Sequence, residues 1–304
     1  HINAPFEEPL YQMVTELSVK PEIFDLPEIE TDIHIDDSAI NIWNSTKRKL
    51  VLIGVNYPNE LDQSIIDFLA NDPSVIVMTE TTSNVHHPAF LNSIDTIITP
   101  FGENDFVAFQ PELLITFGGM LVSKRIKAYL RNYKPLHHWH IDTLRAYDTF
   151  GCLTHHFELK PNAFFKQIIP QVKTVESDYF TKGEFIQKLR TIKQSEFLKT
   201  IPFSDLKAFE TILASLPKNI MLQISNSSAI RYAQLLKIDP SISVFCNRGT
   251  SGIDGSTSTA IGASIGNNQE TVLITGDISF LYDSNALWNN YIPKNFKIIL
   301  VNNG

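Results

Sequence analysis

Along most of this chain a short apolar run with no polar face is followed by a longer stretch whose apolar residues recur at helical spacing, and then the pair repeats. Leu50-Val51-Leu52-Ile53, Val75-Ile76-Val77-Met78, Leu113-Leu114-Ile115-Thr116-Phe117 and Leu136 to Ile141 each read as a strand buried on both sides. Leu61, Ile65, Ile66 and Leu69 mark a helix between the first two, and Phe90 to Ile98 and Lys124 to Tyr133 mark two more. Phe157-Glu158-Leu159 reads as a short strand, and Pro161 opens a helix over Asn162 to Val172. Strands buried on both faces and joined by helices require a parallel sheet covered on each side. The pattern resumes after a polar helical stretch at 173–202. Asp205 to Leu216 is a helix ended by Pro217, Ile220 to Ile224 a strand, Ala229 to Leu236 a helix, Ile242 to Phe245 a strand, and Thr257 to Ile265 a helix of small residues. Val272 to Thr275 and Phe296 to Val301 are the last two strands; between them Ser279 can cap a helix carrying Leu281, Ala286, Leu287 and Tyr291, ended by Pro293. The fold class is therefore α/β, with two three-layer domains on parallel sheets over 47–180 and 203–304 and a helical linker at 181–202. Residues 1–46, with Pro5, Pro9, Pro21 and Pro27 and an acidic stretch, read as a connector and surface segment.

Charge narrows the partners. A net charge of −8 and a pI near 5.6 argue against a nucleic acid, whose backbone calls for clustered Lys and Arg. Cys152 and Cys246 lie far apart and outside any metal-binding spacing, which predicts free thiols in a reducing compartment. No apolar run reaches about 20 residues, so the chain reads as soluble and cytoplasmic, without membrane insertion.

The chemistry concentrates in the last sixty residues. A strand ends at Gly276-Asp277 and the next ends at Asn302-Asn303; joined by a right-handed crossover, they bring the acid and the amides to one edge. One carboxylate and one amide oxygen form part of a shell for a hard cation such as Mg2+, which takes its remaining oxygens from phosphate and water. The same residues would also serve as a helix cap and a turn. Gly249 to Gly255 is too rich in Gly and Ser for a packed element, and the helix after it offers an N-terminus to an anion. Arg231 and Arg248 follow strand ends, and guanidinium forks suit dicarboxylates, although either could be an ordinary surface arginine. In the first domain Lys124-Arg125 opens a helix, where two cations oppose the helix dipole and call for a compensating anion. Phe117-Gly118-Gly119 lacks the rest of a dinucleotide fingerprint. His138 and His140 share a face of their strand and His137 points away; without a neighbouring Cys or acid at fixed spacing they read as packing rather than zinc ligands.

Gly-Asp, a helix, and a strand ending in Asn-Asn resembles the cofactor motif of thiamin-diphosphate-dependent enzymes. Asn247-Arg248-Gly249-Thr250-Ser251-Gly252-Ile253-Asp254-Gly255, continued by Gly276 to Leu287, is similar to the signature of one branch, the MenD family of menaquinone-pathway synthases. The likeness is strong over the last hundred residues, moderate around Lys124-Arg125 and slight over residues 20 to 110. It implies a Rossmann-like central domain followed by the first part of a thiamin-diphosphate-binding fold. Mg2+ or Mn2+ would be held by Asp277 and Asn303, the cofactor would lie against Gly276, Asp277, Ile278 and Ser279, and Ile253 would prop it in its bent form. Ser227, Arg231, Arg248, Lys124 and Arg125 would contact the carboxylates of 2-oxoglutarate and isochorismate. The reaction implied is decarboxylation of 2-oxoglutarate, with 1,4-addition of the succinyl-semialdehyde–thiamin adduct to isochorismate. The resemblance puts the catalytic glutamate in an N-terminal domain outside this sequence, contributed by a neighbouring subunit. It therefore implies a homo-oligomer, dimer or tetramer, and an inactive 304-residue piece. Another thiamin-dependent 2-oxoacid decarboxylase of acetolactate-synthase type, or a non-catalytic nucleotide-binding module, are the alternatives.

Overall fold

In the computed structural model the described residues are 34–303, with Pro5, Thr15, Glu16, Val19, Lys20 and Glu22 before them. The connector expected over 1–46 therefore lies, up to residue 33, almost wholly outside the described residues. The chain divides into two compact units, His1–Asp32 and Ile33–Gly304, and both sheets belong to the second.

The first element, α1 (Asp37–Ser45), lies where a surface segment was expected. Asp36 caps it by accepting from the Ala39 N–H at 2.8 Å, and Ala39 and Trp43 are fully buried. Then follow β1 (Lys49–Ile53), α2 (Gln63–Asn71), β2 (Val75–Thr79), α3 (Ile94–Ile98), α4 (Glu103–Phe109), β3 (Leu113–Phe117), α5 (Lys124–Asn132), β4 (His137–Ile141), β5 (His155–Phe157) and α6 (Pro161–Ile168). The sheet order is β2-β1-β3-β4-β5, all parallel. Alternate residues of β1 feed opposite faces: Val51 and Ile53 pack with Trp43, Ile65, Trp139 and Phe164, while Leu50 and Leu52 pack with Ile76, Met78, Ile126 and Tyr179. Covering both faces in this way explains the missing polar side in the sequence.

The short strand expected at Phe157 to Leu159 lies two residues earlier, as β5 pairs with β4 through His155, His156 and Phe157, and two helices also differ from expectation. The helix expected over Phe90 to Ile98 begins only at Ile94, because Leu91 first pairs with β2: its N–H donates to the Val77 carbonyl at 2.8 Å. α4 was not expected; Asp105 closes its first turn by accepting from the Gly102 N–H, and Phe109 anchors it.

α7 (Tyr179–Thr200) spans the expected linker as one helix of 22 residues. It starts in the first core with Tyr179 and ends in the second with Leu198. Gly183 permits its close approach to the sheet, since a Cβ there would sit 2.7 Å from Ile76 Cδ1.

The second sheet is built from α8 (Asp205–Ser215), β6 (Met221–Ser225), α9 (Ser228–Ala233), β7 (Ser243–Asn247), α10 (Ser256–Gly266), β8 (Thr271–Gly276), α11 (Asp277–Tyr282) and β9 (Phe296–Val301). Its order is β7-β6-β8-β9, again all parallel. α11 starts at Asp277, and Ser279 lies inside it rather than capping it. The expected continuation toward Tyr291 is broken at Asp283, whose carboxylate accepts from the Ser258 N–H at 2.7 Å and ties this turn to α10. Val122, from the first half, packs within the second core. Among the described residues no helix is long and apolar enough to cross a membrane.

Candidate functional site

Gly276 pairs in register with Val301, so β8 and β9 deliver their next residues to one edge, as the sequence predicts. Asp277 Oδ1 accepts from the Ile278 N–H at 2.8 Å, which leaves the second carboxylate oxygen outside that bond. Asn303 donates through Nδ2 to Asp205 Oδ2 at 2.9 Å; its amide oxygen, the atom a cation would take, is not part of that contact. Both are hard oxygen donors, the type that Mg2+ or Mn2+ prefers.

The surroundings fit an anionic group of diphosphate type. Gly276 has an ordinary backbone conformation, and a Cβ on it would meet nothing within 4 Å, so the chain's own packing does not require a glycine there. Ser225 Oγ at the end of β6, and Ser256 Oγ and Thr257 Oγ1 at the start of α10, are buried without a hydrogen-bond partner. Buried hydroxyls are normally satisfied, and three unsatisfied ones at one sheet edge, beside a helix N-terminus, suit an acceptor-rich ligand. Ser279 Oγ donates to the Ile253 carbonyl at 2.6 Å, which ties the glycine loop to α11 and holds half-buried Ile253 beside the Asp277 edge. Ile278 is 52% exposed.

Arg248 is fixed by the seam between the sheets. Its Nη1 donates to the Leu121 carbonyl at 2.7 Å, Nε to Asn226 Oδ1 at 3.3 Å and Nη2 to Ser251 Oγ at 3.4 Å. Beside it, burial pushes the Cys246 thiol up to about 12, which keeps it protonated. Arg125 and Arg231 meet in a cavity of about 820 Å3 that α7 also lines with Arg190 and Lys193, and Asp95 is the carboxylate in its wall. Lys124 is exposed and outside that lining, and so is Ser227, whose neighbour Ser228 takes the place. Ser227 has φ 75° and ψ −130°, a strained conformation for a residue with a Cβ.

Glu80 reads from the sequence as a strand-end acid with a helix-cap or loop role. It follows β2, is almost fully buried, and accepts from the Val122 and Ser123 N–H groups, each at 2.7 Å, fixing the approach to α5 and hence Arg125. Burial pushes its carboxyl above the usual range, and those two N–H groups pull it back in part. The only signal was an acid at the end of a buried strand. Arg190 and Lys193 read from the sequence as outward-facing residues of a polar helix, whereas the structure places them in the cavity lining. The glycines after β3 have a structural reason: Gly118 sits at φ 80° and a Cβ on it would fall 2.8 Å from the Val55 carbonyl oxygen, where the β1 and β3 ends nearly touch. Thr116 Oγ1 lies 2.9 Å from His138 Nε2 and 2.8 Å from His140 Nδ1, so those two histidines do share a face.

The fold is an open, parallel α/β one, and hard oxygen donors and unspent hydroxyls meet at the carboxyl edge of its second sheet, where such sheets offer a crevice to ligands. No protein-family model matches the chain. Along its whole length it is 65% identical to a protein of Flavobacterium johnsoniae named 2-succinyl-5-enolpyruvyl-6-hydroxy-3-cyclohexene-1-carboxylate synthase, 55% of which the match covers. Proteins of the same name from Christiangramia forsetii and Bacteroides thetaiotaomicron are 51% and 34% identical over the whole chain, which covers 54% of each. The chain belongs to the family of these synthases. It spans about half the length of the curated relatives it matches.

Proposed function

We propose that this protein acts in the synthesis of 2-succinyl-5-enolpyruvyl-6-hydroxy-3-cyclohexene-1-carboxylate, joining a four-carbon unit from 2-oxoglutarate to isochorismate with thiamin diphosphate and Mg2+ or Mn2+. The parallel register that brings Asp277 and Asn303 to one edge is the observation that carries this reading. Asp277 and Asn303 would hold the metal; Gly276, Ile278 and Ser279 would face the diphosphate, with Ile253 against the rings. Bound there, the cofactor supplies the electron sink for decarboxylation. The chain's own task is to bind and orient. Arg231 and Arg125, which line one cavity, would grip substrate carboxylates, and Arg248, Ser227 and Lys124, outside that lining, would complete the recognition. The working enzyme is a homo-oligomer in the cytoplasm on this reading.

The test is titration of thiamin diphosphate into the whole protein with and without Mg2+, followed by turnover of 2-oxoglutarate with isochorismate. Mg2+-dependent binding, weakened at least about tenfold by Asp277→Asn, is the expected result. Binding indifferent to Mg2+ and to Asp277 would overturn the assignment.

A further inference from the structure

β4 carries His138 into the interior, where it is 1% exposed. Its Nε2 is engaged by Thr116 Oγ1, while Nδ1 is buried with no hydrogen-bond partner. Buried polar atoms are normally hydrogen-bonded, so an unmatched imidazole nitrogen calls for a partner. What comes near is the loop between β4 and β5. One ligand atom each from His138, Asp148 and Cys152 lie within 4.8 Å of one another, the one such trio of His, Cys, Asp or Glu among the described residues.

The trio is held by bonds that leave most of its ligand atoms unused. Asp148 Oδ1 accepts from the Cys152 and Leu153 N–H groups at 2.8 and 3.1 Å, so the carboxylate and the cysteine share one turn. Thr154 N–H and Oγ1 both donate to the His138 carbonyl at 2.9 Å, and the His138 N–H donates back to Thr154 Oγ1 at 3.1 Å, which locks the loop to the strand. Thr116 Oγ1, accepting from Nε2–H, would fix the tautomer with its lone pair on Nδ1, the usual outer support of a metal-bound histidine.

We propose that His138, Asp148 and Cys152 form a site for one divalent ion of zinc type, on the first sheet and separate from the Asp277 edge. Nitrogen, carboxylate oxygen and sulfur together suit Zn2+ or Co2+, whereas Mg2+ and Ca2+ avoid thiolates. A tetrahedral site sets its ligands about 3.3–3.8 Å apart, so the loop closes by about 1 Å, and water takes the fourth position. A cysteine nucleophile is the poorer reading. Burial and the Asp148 charge push the Cys152 thiol up, the reverse of what a nucleophile needs. Metal uptake is balanced by release of that proton: the S–H bond breaks, an S–metal bond forms and H+ leaves to solvent. Burial holds His138 down to about 4, so the imidazole is already the neutral form that binds metal. The ion would fasten the 142–154 loop, part of which walls a cavity of about 190 Å3 over the carboxyl ends of β1, β3 and β4.

The experiment strips the protein with a chelator and titrates Co2+ against a background of saturating Mg2+, which fills sites made of hard oxygens. One equivalent is expected to give a near-ultraviolet thiolate-to-cobalt band with the visible bands of a tetrahedral ion, displaced by Zn2+. Cys152→Ser should abolish the thiolate band, Asp148→Asn should weaken binding more than about tenfold, and Cys246→Ser and Asp277→Asn should leave it unchanged. Absence of the thiolate band in the unsubstituted protein, or its survival in Cys152→Ser, overturns the proposal. If the variants do not fold, alkylation of half-exposed Cys152 in the unsubstituted protein decides: Zn2+ must slow it at least about tenfold by the same reasoning, and an unchanged rate overturns the site.

Discussion

Asn84 is the residue on which the relation of the two sheets can be tested most directly. It sits at φ 50° just after β2 and is 7% exposed. Its side chain pairs with edge strand β7 as another strand would: the Val244 N–H donates to Oδ1 at 2.8 Å, and Nδ2 donates to the Val244 carbonyl at 2.9 Å and to the Asn56 carbonyl at 2.9 Å. Val244 is 2% exposed, so neither of its backbone groups has ready access to water. Asn84→Ala leaves both unmatched at about 1–3 kcal/mol each, and an alanine in the left-handed region adds about 1–2 kcal/mol. The expected loss is about 3–8 kcal/mol, a large part of the roughly 5–15 kcal/mol that holds a domain folded. Asn84→Gly removes the amide without the conformational strain, so it should recover about 1–2 kcal/mol of that loss and no more. Urea unfolding of the three proteins, with the slope compared to detect loss of cooperativity, reads these differences. A loss below about 1 kcal/mol in Asn84→Ala, or full recovery in Asn84→Gly, would refute the idea that the amide completes the β7 edge.

Three further outcomes follow from single contacts. Lys49 is buried, with its ammonium on the Thr46 carbonyl and Ser74 Oγ, and desolvation lowers it from 10.5 to about 8 against the pull of Asp72 and Glu112; between those values the unfolded chain binds the extra proton, so stability should rise with pH across pH 8 to 10.5, by about 3 kcal/mol in all, and Lys49→Met should remove that rise in pH-dependent denaturation curves. Ser227→Gly should raise the melting temperature, because relief of a strained backbone at φ 75° is worth about 1–3 kcal/mol; an unchanged or lower value would show that the conformation is not strained. Trp43→Ala should cost about 3–5 kcal/mol if α1 is part of the first core, and a loss under about 1 kcal/mol would place that tryptophan outside it.

The strand pattern was legible because it is a local, two-sided burial signal: the reading of β1, β2, β3, β8 and β9 needed nothing from distant residues. The same holds for the edge that carries Asp277 and Asn303, since parallel crossover connectivity places both at once. What stayed hidden depends on partners far along the chain. α1 looked like surface because Asp36, Asp37, Asn41 and Asn44 surround a single buried tryptophan. Asn84 is an ordinary loop asparagine until β7, 160 residues later, lies against it. His138 read as packing because Asp148 and Cys152 approach it only when the β4–β5 loop folds back. Lys124-Arg125 read as a pair, yet helical geometry sends Arg125 toward the cavity and leaves Lys124 outside its lining.

The two halves do different work in this arrangement. The second sheet alone carries the acid, the amide, the glycine loop and the unmatched hydroxyls, so on the proposed function the diphosphate would be held without the first sheet. The cavity lined by arginines draws on both, since Arg125 comes from α5 and Arg231 from α9, with Arg190 on the helix that joins them. Arg125 is aimed by Glu80 through the Val122 and Ser123 N–H groups, and Arg248 reaches back to the Leu121 carbonyl in that same loop. The Leu121 to Ser123 segment is therefore where the first sheet sets the second sheet's arginine while also setting its own. A change there should alter recognition of carboxylates while leaving metal and diphosphate binding intact, a separation that Glu80→Gln would reveal as an altered KM for the acid substrates at unchanged cofactor affinity. Equal loss of both would mean the two halves act as one unit.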